Sequence, residues 1–284
     1  MPNKSPLRYP GGKTRACKKL DEILCQYFSP AQIDTVISPF FGGGSFEFYL
    51  QNKYNANIVA NDKFQPLFNF WNMCKYNSEV LCEKLYEVRK GFTQEKDYES
   101  IKNILKKYRQ EIIKQEVSNK ILLAVYYFVI NRCSFSGATL SGGFSKSAVA
   151  SRFTKSSIDR VVSLDLKRFN IECCDFEPFI KSYEVANSIM FLDPPYYLKK
   201  KSKLYGTNGD MHESFDHKKL AIVLSTRNQW IMTYNDVPFI RDLYKDCIII
   251  ATDWSYGMCN VKKQGEKSSK QKKSSEIVII KVAS

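Results

Sequence analysis

One carboxylate, two prolines and a tyrosine follow one another in the tetrapeptide Asp193-Pro194-Pro195-Tyr196. The apolar run before them, 189–192, has the composition of a buried strand, and α/β proteins bind ligands at the carboxyl ends of such strands. Each proline fixes φ and removes an N–H donor, which keeps the loop extended and leaves its carbonyls as acceptors. Asp193 and the Pro194 carbonyl are then suited to accept hydrogen bonds from an –NH2 group, and Tyr196 to stack on the attached ring. The pattern indicates a site that presents an amine to an electrophile; a proline turn with a solvated aspartate is the alternative.

A glycine-rich loop, 39–45, lies between a β-branched run, 35–37, and an apolar segment. Strand, glycine loop and helix in this order let a backbone approach a ligand closely. Asp62 follows Gly42 by 20 residues, a spacing that suits the vicinal hydroxyls of a ribose, although a helix N-cap is the alternative for this residue. The loop lacks the full G-x-G-x-x-G fingerprint, because Glu47 stands where the last glycine belongs. A nucleoside-bearing cofactor without phosphates therefore fits better than a dinucleotide.

A second pair of glycines lies in the segment 8–14, which reads R-Y-P-G-G-K-T. The segment is similar to a phosphate-binding loop, but Leu7 stands where the first glycine of G-x-x-x-x-G-K-[ST] belongs and no strand precedes it. Lys13 is instead predicted to pair with a carboxylate of the cofactor.

Four motifs stand in a fixed order: Tyr-Pro-Gly-Gly-Lys, Phe-Phe-Gly-Gly-Gly, Asn-Asp and, after a central insert, Asp-Pro-Pro-Tyr. This order resembles the D12 (Dam-type) class of adenine-N6-specific DNA methyltransferases over nearly the whole chain. The resemblance implies that S-adenosyl-L-methionine is the cofactor and that the target is N6 of an adenine flipped out of duplex DNA. It implies catalytic roles for Asp193, Pro194 and Tyr196. The cofactor-binding residues that it implies are Tyr9, Lys13, Phe40, Gly42, Gly44, Asp62, Asp175, Phe176 and Asp193.

The segment 131–137 matches the family pattern Asn-Arg-x-x-aromatic-x-Gly at the end of a helical core. By resemblance, this region reads DNA, Phe135 is a wedge between base pairs, and the loop through Lys146 approaches the major groove. Core packing is the alternative for Phe135. The DNA-binding residues expected on this basis are Asn131, Arg132, Phe135, Ser136, Lys146, Arg152, Lys199, Lys200 and Lys201.

The chain is strongly basic, with 43 Lys and Arg against 29 Asp and Glu and a formal net charge of +14. Lysines concentrate at 199–203, directly after the Asp-Pro-Pro-Tyr motif, and at 262–273, before the final apolar run. A lysine run is often only a solvated surface, but two runs that flank a proposed site favour a polyanion as partner. Phosphate contacts of this kind predict a steep salt dependence, with a log–log slope of about −0.9 per neutralised phosphate.

Composition limits the other classes of function. The chain has 284 residues, 44% of them hydrophobic, which suffices for one large core or a core with a subdomain. The nine cysteines include no C-x-x-C, and no secretory segment is evident, so reduced thiols and an intracellular location are expected. Only two histidines are present and no apolar run reaches the length of a membrane span, so neither a metal nor a membrane is an expected partner. A restriction endonuclease that acts on the same DNA site is a further possible partner.

The motifs require an α/β scaffold. Apolar runs separated by helix-length segments predict a mainly parallel sheet covered on both faces. Helical periodicity over 98–112 and an apolar stretch over 118–131 predict helices within a basic insert. The expected fold is a Rossmann-like S-adenosylmethionine-dependent methyltransferase sheet, formed by 1–72 and 166–284, with a helical target-recognition subdomain inserted at 73–165. The predicted strands are 35–38, 57–61, 169–173, 188–192, 229–233, 247–251 and 276–281.

Three other functions remain open at this point. An RNA adenine methyltransferase would use the same pocket. A cytosine-N4 methyltransferase is chemically close, although those enzymes more often carry serine at the position of Asp193. A catalytically inactive DNA-binding module is disfavoured, because every expected chemical residue is present except the acidic one that relatives commonly carry at the position of Ser38.

Overall fold

The structure is a computed structural model that describes residues 3–95, 97–197, 215–252 and 276–282. Seven strands within these ranges form one sheet. The strands are β1 (Thr35–Ser38), β2 (Asn57–Asn61), β3 (Phe169–Glu172), β4 (Ser188–Leu192), β5 (Trp230–Asn235), β6 (Ile248–Thr252) and β7 (Glu276–Lys281).

The strand order is β3-β2-β1-β4-β5-β7-β6. The first five strands along the chain are parallel, whereas β7 lies antiparallel between β5 and β6. The order reverses between β1 and β4, and in open α/β sheets ligands bind at such a switch point. The Rossmann-like methyltransferase sheet predicted from the sequence is therefore confirmed. The bounds of β1, β2, β4 and β7 match the predictions, and those of β3, β5 and β6 differ from them by one or two residues.

Both faces of the sheet are covered, which explains why its central strands are mostly apolar. Val36, Ile58 and Phe191 belong to a core on one face, and Ile37 and Met190 to a core on the other. The first face packs against α1 (Cys17–Tyr27), α2 (Ser45–Tyr54) and α3 (Gln65–Tyr76). The second packs against α9 (Phe176–Ser182), α10 (His217–Ser225) and α11 (Pro238–Leu243).

In the described part of the chain, five α-helices lie between α3 and β3. The predicted amphipathic helix is α5, which begins after the N-cap Asp97 and buries Ile101, Leu105 and Ile112. The predicted buried helix is α6, which packs against both α3 and α5. The five helices are α4 (Ser78–Gln94), α5 (Tyr98–Ile113), α6 (Lys120–Cys133), α7 (Lys146–Arg152) and α8 (Lys155–Val162).

The insert shares its core with the sheet. Phe70 of α3 stacks on Phe128 of α6 with ring centroids 5.6 Å apart, and the cluster that covers the first face of the sheet continues into the insert. The expected boundary between residues 72 and 73 falls inside α3. The division into a catalytic and a recognition part stays a prediction.

Two further observations hold for the described residues. None of their helices has both the length and the apolar character needed to cross a bilayer. Their eight cysteines are all free, and none of their side chains form a group of three or more metal-ligating residues.

Candidate active site

Asp193 directly follows β4, beside the switch point of the sheet. Lys13 Nζ donates to both of its carboxylate oxygens at 2.7 Å, and Thr233 Oγ1 donates to Oδ1 at 2.7 Å. A carboxylate has about four lone-pair sites, so the contacts made by the described residues leave one acceptor site on Oδ2. Because the Asp193 side chain is 24% exposed, that site is within reach of a bound molecule.

Lys13 differs from its expected role. The sequence predicted a pair with a cofactor carboxylate, but the structure places its ammonium against Asp193 with 3% of the side chain exposed. A buried ammonium needs a counter-charge, and Asp193 supplies it. A bond from Nζ to the Gly11 carbonyl at 3.0 Å fixes the ammonium further. Lys13 therefore positions Asp193.

The loop after Asp193 is fixed to the neighbouring strand. The backbone N–H of Tyr197 donates to Asn235 Oδ1 at 3.1 Å, and Asn235 Nδ2 donates to the Tyr197 carbonyl at 2.7 Å. The Tyr196 ring stacks on Tyr234 at 5.7 Å between centroids, and Lys13 Nζ lies 5.1 Å from the Tyr196 centroid. The loop thus holds an aromatic ring and a carboxylate side by side.

The glycine loop after β1 is closely covered by Tyr9. A Cβ on Gly42 would lie 2.8 Å from the Tyr9 ring, and one on Gly43 would lie 2.7 Å from Tyr9 Cβ. Gly42 also has a φ of +49°, which favours glycine. Its N–H donates to Asp62 Oδ2 at 2.9 Å, and its carbonyl accepts from Trp71 Nε1 at 3.1 Å. The loop is therefore held from three sides.

Asp62 connects this loop to the segment that leads into α3. Its Oδ1 accepts from the Phe64 N–H at 2.9 Å, but Phe64 is itself the N-cap of α3, so the alternative that Asp62 caps this helix is wrong. Burial raises the pKa of the Asp62 carboxyl to about 6. A buried carboxyl beside a glycine loop is what a ribose diol needs as an acceptor.

Three aromatic rings form a wall at the carboxyl ends of β1 and β3. Phe40 lies 5.8 Å from Phe176 and 5.6 Å from Phe215, and the last two are 5.4 Å apart. Asp175 caps α9 through the Glu177 N–H at 3.2 Å. The structure thus brings together the predicted Phe40, Asp175 and Phe176.

Gly44 is required for a packing reason. Its φ is +65°, and a Cβ there would lie 2.6 Å from the Phe41 ring and 3.0 Å from the Phe48 ring. Gly44 therefore lets two aromatic side chains of the core approach the start of α2.

A buried acid lies beside Ser38. Glu47 reaches back from α2, and the Ser38 hydroxyl donates to its Oε1 at 2.5 Å. Burial raises the pKa of Glu47 from its ordinary 4.5 to about 7, and the nearby negative charge of Asp193 adds to the shift. The acidic group missing at position 38 is thus supplied next to that position by a helix.

The raised pKa of Glu47 predicts that the free energy of unfolding depends on pH, and that Glu47→Gln removes this dependence. The folded protein binds the Glu47 proton more tightly than the unfolded chain, so the stabilisation is complete below about pH 4.5 and is lost as the pH rises through about 7. The free energy of unfolding should fall by on the order of 3 kcal/mol across this pH range. Urea unfolding between pH 5 and 8 measures it as the difference between wild type and variant, because Asp62 titrates in both. Parallel pH curves for the two proteins would contradict the assignment.

Asn131 is a structural link rather than an exposed DNA-binding side chain. It is fully buried, its Oδ1 accepts from the Arg8 N–H at 3.0 Å, and its Nδ2 donates to the Arg8 carbonyl at 2.8 Å and to the Gly137 carbonyl at 3.2 Å. The prediction of a direct DNA contact does not fit this placement, because the burial of the side chain and its bonds to backbone leave no face for DNA. Asn131 instead attaches the insert to the segment that carries Tyr9.

The other predicted DNA-binding residues are placed differently from one another. Phe135 is 66% exposed, which excludes core packing as its role. Ser136 follows it with a φ of +53°.

Arg132 is largely buried and donates to the carbonyls of Arg152 and Pro6, so it too is a structural link. Lys146 and Arg152 are exposed at the two ends of α7, whereas Lys199, Lys200, Lys201 and the cluster at 262–273 lie outside the described residues.

Four residues of the site are not among those predicted from the sequence. Thr233 bonds Asp193 from the middle of an apolar strand, where a hydroxyl is a detectable but weak signal. Glu47 interrupts an apolar helix, which is a stronger signal of a buried function. Trp71 and Phe215 carry no pattern that distinguishes them from ordinary core residues.

The sheet order and the two loops at its switch point are those of a Rossmann-like methyltransferase. A family model described as D12 class N6 adenine-specific DNA methyltransferase matches residues 9–258, and the chain belongs to this family. It is a site-specific DNA methyltransferase that acts on adenine.

Two curated relatives resemble the chain over most of its length. The type II methyltransferase M.MjaIII of Methanocaldococcus jannaschii is 27% identical over 255 residues, which cover 84% of this chain and 87% of the relative. The type II methyltransferase M.CviBI of Paramecium bursaria Chlorella virus NC1A is 21% identical over 247 residues, which cover 84% of this chain and 85% of the relative.

Proposed function

We propose that the chain transfers a methyl group from S-adenosyl-L-methionine to N6 of an adenine that has been rotated out of duplex DNA. The observation that carries the proposal is the environment of Asp193. Among the described residues, Lys13 and Thr233 occupy three of its acceptor sites and leave one on Oδ2. One remaining acceptor matches one N–H of an exocyclic amine.

The residues around the glycine loop fit S-adenosyl-L-methionine. Asp62 is a buried acid suited to the ribose hydroxyls, and the wall of Phe40, Phe176 and Phe215 is suited to the adenine ring. Tyr9 and the Gly42 backbone border the same region. When bound, the cofactor supplies an electrophilic methyl group on a sulfonium. No pyrophosphate is part of it, which agrees with the incomplete dinucleotide fingerprint.

The protein's part in the reaction is mainly orientation. Asp193 Oδ2 and the Pro194 carbonyl each accept one N–H of the target amine, which directs the nitrogen lone pair away from both and toward the electrophile. Tyr196, held by stacking on Tyr234, provides the flat surface for the purine. Positioning of this kind supplies several kcal/mol of the barrier reduction. Asp193 also accepts the proton that the amine loses.

Base rotation follows from the depth of the site. N6 of a stacked adenine cannot reach Asp193 at the carboxyl end of β4, and extrusion costs a few kcal/mol of unstacking. The exposed Phe135 ring offsets part of this cost by filling the space that the base leaves. Both relatives are named type II methyltransferases, so we also propose a restriction endonuclease of the same sequence specificity as the biological partner.

Methylation of a random-sequence duplex library tests the proposal. We expect N6-methyladenine within one short sequence, mapped by sequencing of the modified strands. N4-methylcytosine after digestion to nucleosides would identify a cytosine enzyme instead. Stronger competition by structured RNA than by duplex would identify an RNA enzyme. Failure to bind S-adenosyl-L-methionine in calorimetry would leave an inactive DNA-binding module.

A further inference from the structure

A basic cavity of about 590 Å³ lies between the segment that carries Tyr9, the start of α2 and the helical insert. Among the described residues, its lining includes six lysine or arginine side chains and no aspartate or glutamate. A volume of this size lies within the range of ligand sites. We call it the basic cavity, and its cations are Lys4, Arg8, Arg15, Arg132, Arg152 and Arg160.

The described residues do not neutralise the positive charge of the basic cavity. Within the part of the chain that the structure describes, none of the six side chains forms a salt bridge. Burial, together with the charges of Arg8, Arg160 and Arg152, lowers the pKa of Arg132 to about 10. Cations that repel one another in a shared cavity disfavour the fold, and a bound anion offsets that cost.

Two of these arginines are held rigidly. Arg132 donates through Nε to the Arg152 carbonyl at 2.8 Å and through Nη1 to the Pro6 carbonyl at 3.1 Å. Arg8 donates through Nη1 to the Ser134 carbonyl at 3.2 Å. Guanidinium groups fixed in this way lose little entropy when their remaining N–H groups bind a ligand.

The basic cavity lies next to the proposed wedge and next to the cofactor loop. Ser136, which follows the exposed Phe135, lines one part of it. Tyr9 and Gly43 line another part, and Tyr9 also packs on Gly42. DNA that is opened at Phe135 and delivers its base to Asp193 must pass this region.

We propose that the basic cavity binds the phosphodiester backbone of the duplex beside the target adenine, with Arg15, Arg152 and Arg160 as the mobile phosphate ligands. The inference rests on the proposed function, since it assumes duplex DNA as the substrate. Guanidinium groups pair with phosphate oxygens in a fork geometry. The Ser45 hydroxyl, which accepts from the Thr14 hydroxyl on the same wall at 3.2 Å, is a further donor. These contacts fix the register of the DNA and carry no base specificity.

The test is the salt dependence of DNA binding by the double variant Arg15→Gln/Arg160→Gln. The Kd for a short random-sequence duplex is measured by fluorescence anisotropy between 50 and about 200 mM salt, a range over which phosphate contacts dominate. Each lost phosphate contact lowers the log–log slope by about 0.9. We therefore expect the slope to fall by one to two, with affinity at low salt at least tenfold weaker. The melting temperature and the affinity for S-adenosyl-L-methionine should stay at their wild-type values.

The matched control is Lys106→Gln/Lys245→Gln, which removes the same charge from exposed positions on α5 and after α11. A slope for Arg15→Gln/Arg160→Gln equal to that of the control would overturn the inference, even if wild type methylates DNA normally. Protection of wild type from thermal unfolding by inorganic phosphate or a mononucleotide as strong as that by the duplex would also overturn it, because the ligand would then be a free anion. An absence of methylation by wild type is a separate result that concerns the proposed function alone.

Discussion

Replacement of Asp193 by asparagine is expected to lower the rate of methyl transfer by a factor on the order of 10²–10⁴, with little change in the affinity for S-adenosyl-L-methionine. Asparagine keeps the shape of the side chain but puts an N–H₂ group where the carboxylate accepts from Lys13 and Thr233. The variant then offers the target amine a weaker acceptor and has no base for its proton. Single-turnover methylation of a duplex with saturating cofactor measures the rate, and calorimetry measures the affinity.

The same substitution removes the counter-charge of Lys13, so loss of stability has to be separated from loss of catalysis. Breaking a fully buried ion pair costs about 3–5 kcal/mol, and the 24% exposure of Asp193 reduces that penalty. Lys13→Met/Asp193→Leu removes both charges and should recover much of the lost stability, because apolar replacement of a buried pair is often neutral. It should stay as inactive as Asp193→Asn. Wild-type turnover in either variant would refute the assignment of Asp193.

The strands were predictable because burial on both faces of a sheet produces a clear pattern of apolar residues in the sequence. All four residues of β1 and the first five of β7 are buried, and each strand contains an apolar run, 36–37 in β1 and 277–280 in β7. The reversal of order between β1 and β4 follows from the way crossovers wind a parallel sheet. It brings Asp193 beside the glycine loop, so motifs far apart in the sequence meet at one edge.

The partners within the site were not predictable, because they depend on distances across the fold. Lys13 and Asp193 are 180 residues apart, and no local pattern distinguishes a lysine that pairs with the protein from one that pairs with a ligand. Glu47 lies nine residues after Ser38 on the far side of a loop, so its contact depends on the bend at the glycines. The motif around Asn131 was recognisable, but its role depends on the backbone of Arg8, 123 residues away.

The second substitution with a large expected effect is Gly137→Ala, because Gly137 packs directly against the backbone of Arg8. Gly137 has a φ of +75°, and a Cβ there would lie 2.1 Å from the Arg8 carbonyl oxygen and 2.6 Å from its carbon. Backbone atoms cannot move aside as the end of a flexible side chain can. The left-handed conformation costs about 1–3 kcal/mol for a residue other than glycine, and overpacking adds about 1–3 kcal/mol. Urea unfolding should therefore show a loss of about 2–6 kcal/mol.

We expect Gly137→Ala to disturb the active site as well, because Arg8 directly precedes Tyr9 and lies five residues before Lys13. Displacement of this segment shifts the ring that covers Gly42 and the ammonium that holds Asp193. Cofactor affinity and methylation should both fall in whatever fraction of the variant remains folded. Gly143→Ala is the matched control in the same turn, since a Cβ there meets nothing within 4 Å, and its stability should lie within about 0.5 kcal/mol of wild type. If the two variants were equally stable, Gly137 would not be the point at which the helical insert fixes the segment that positions Asp193.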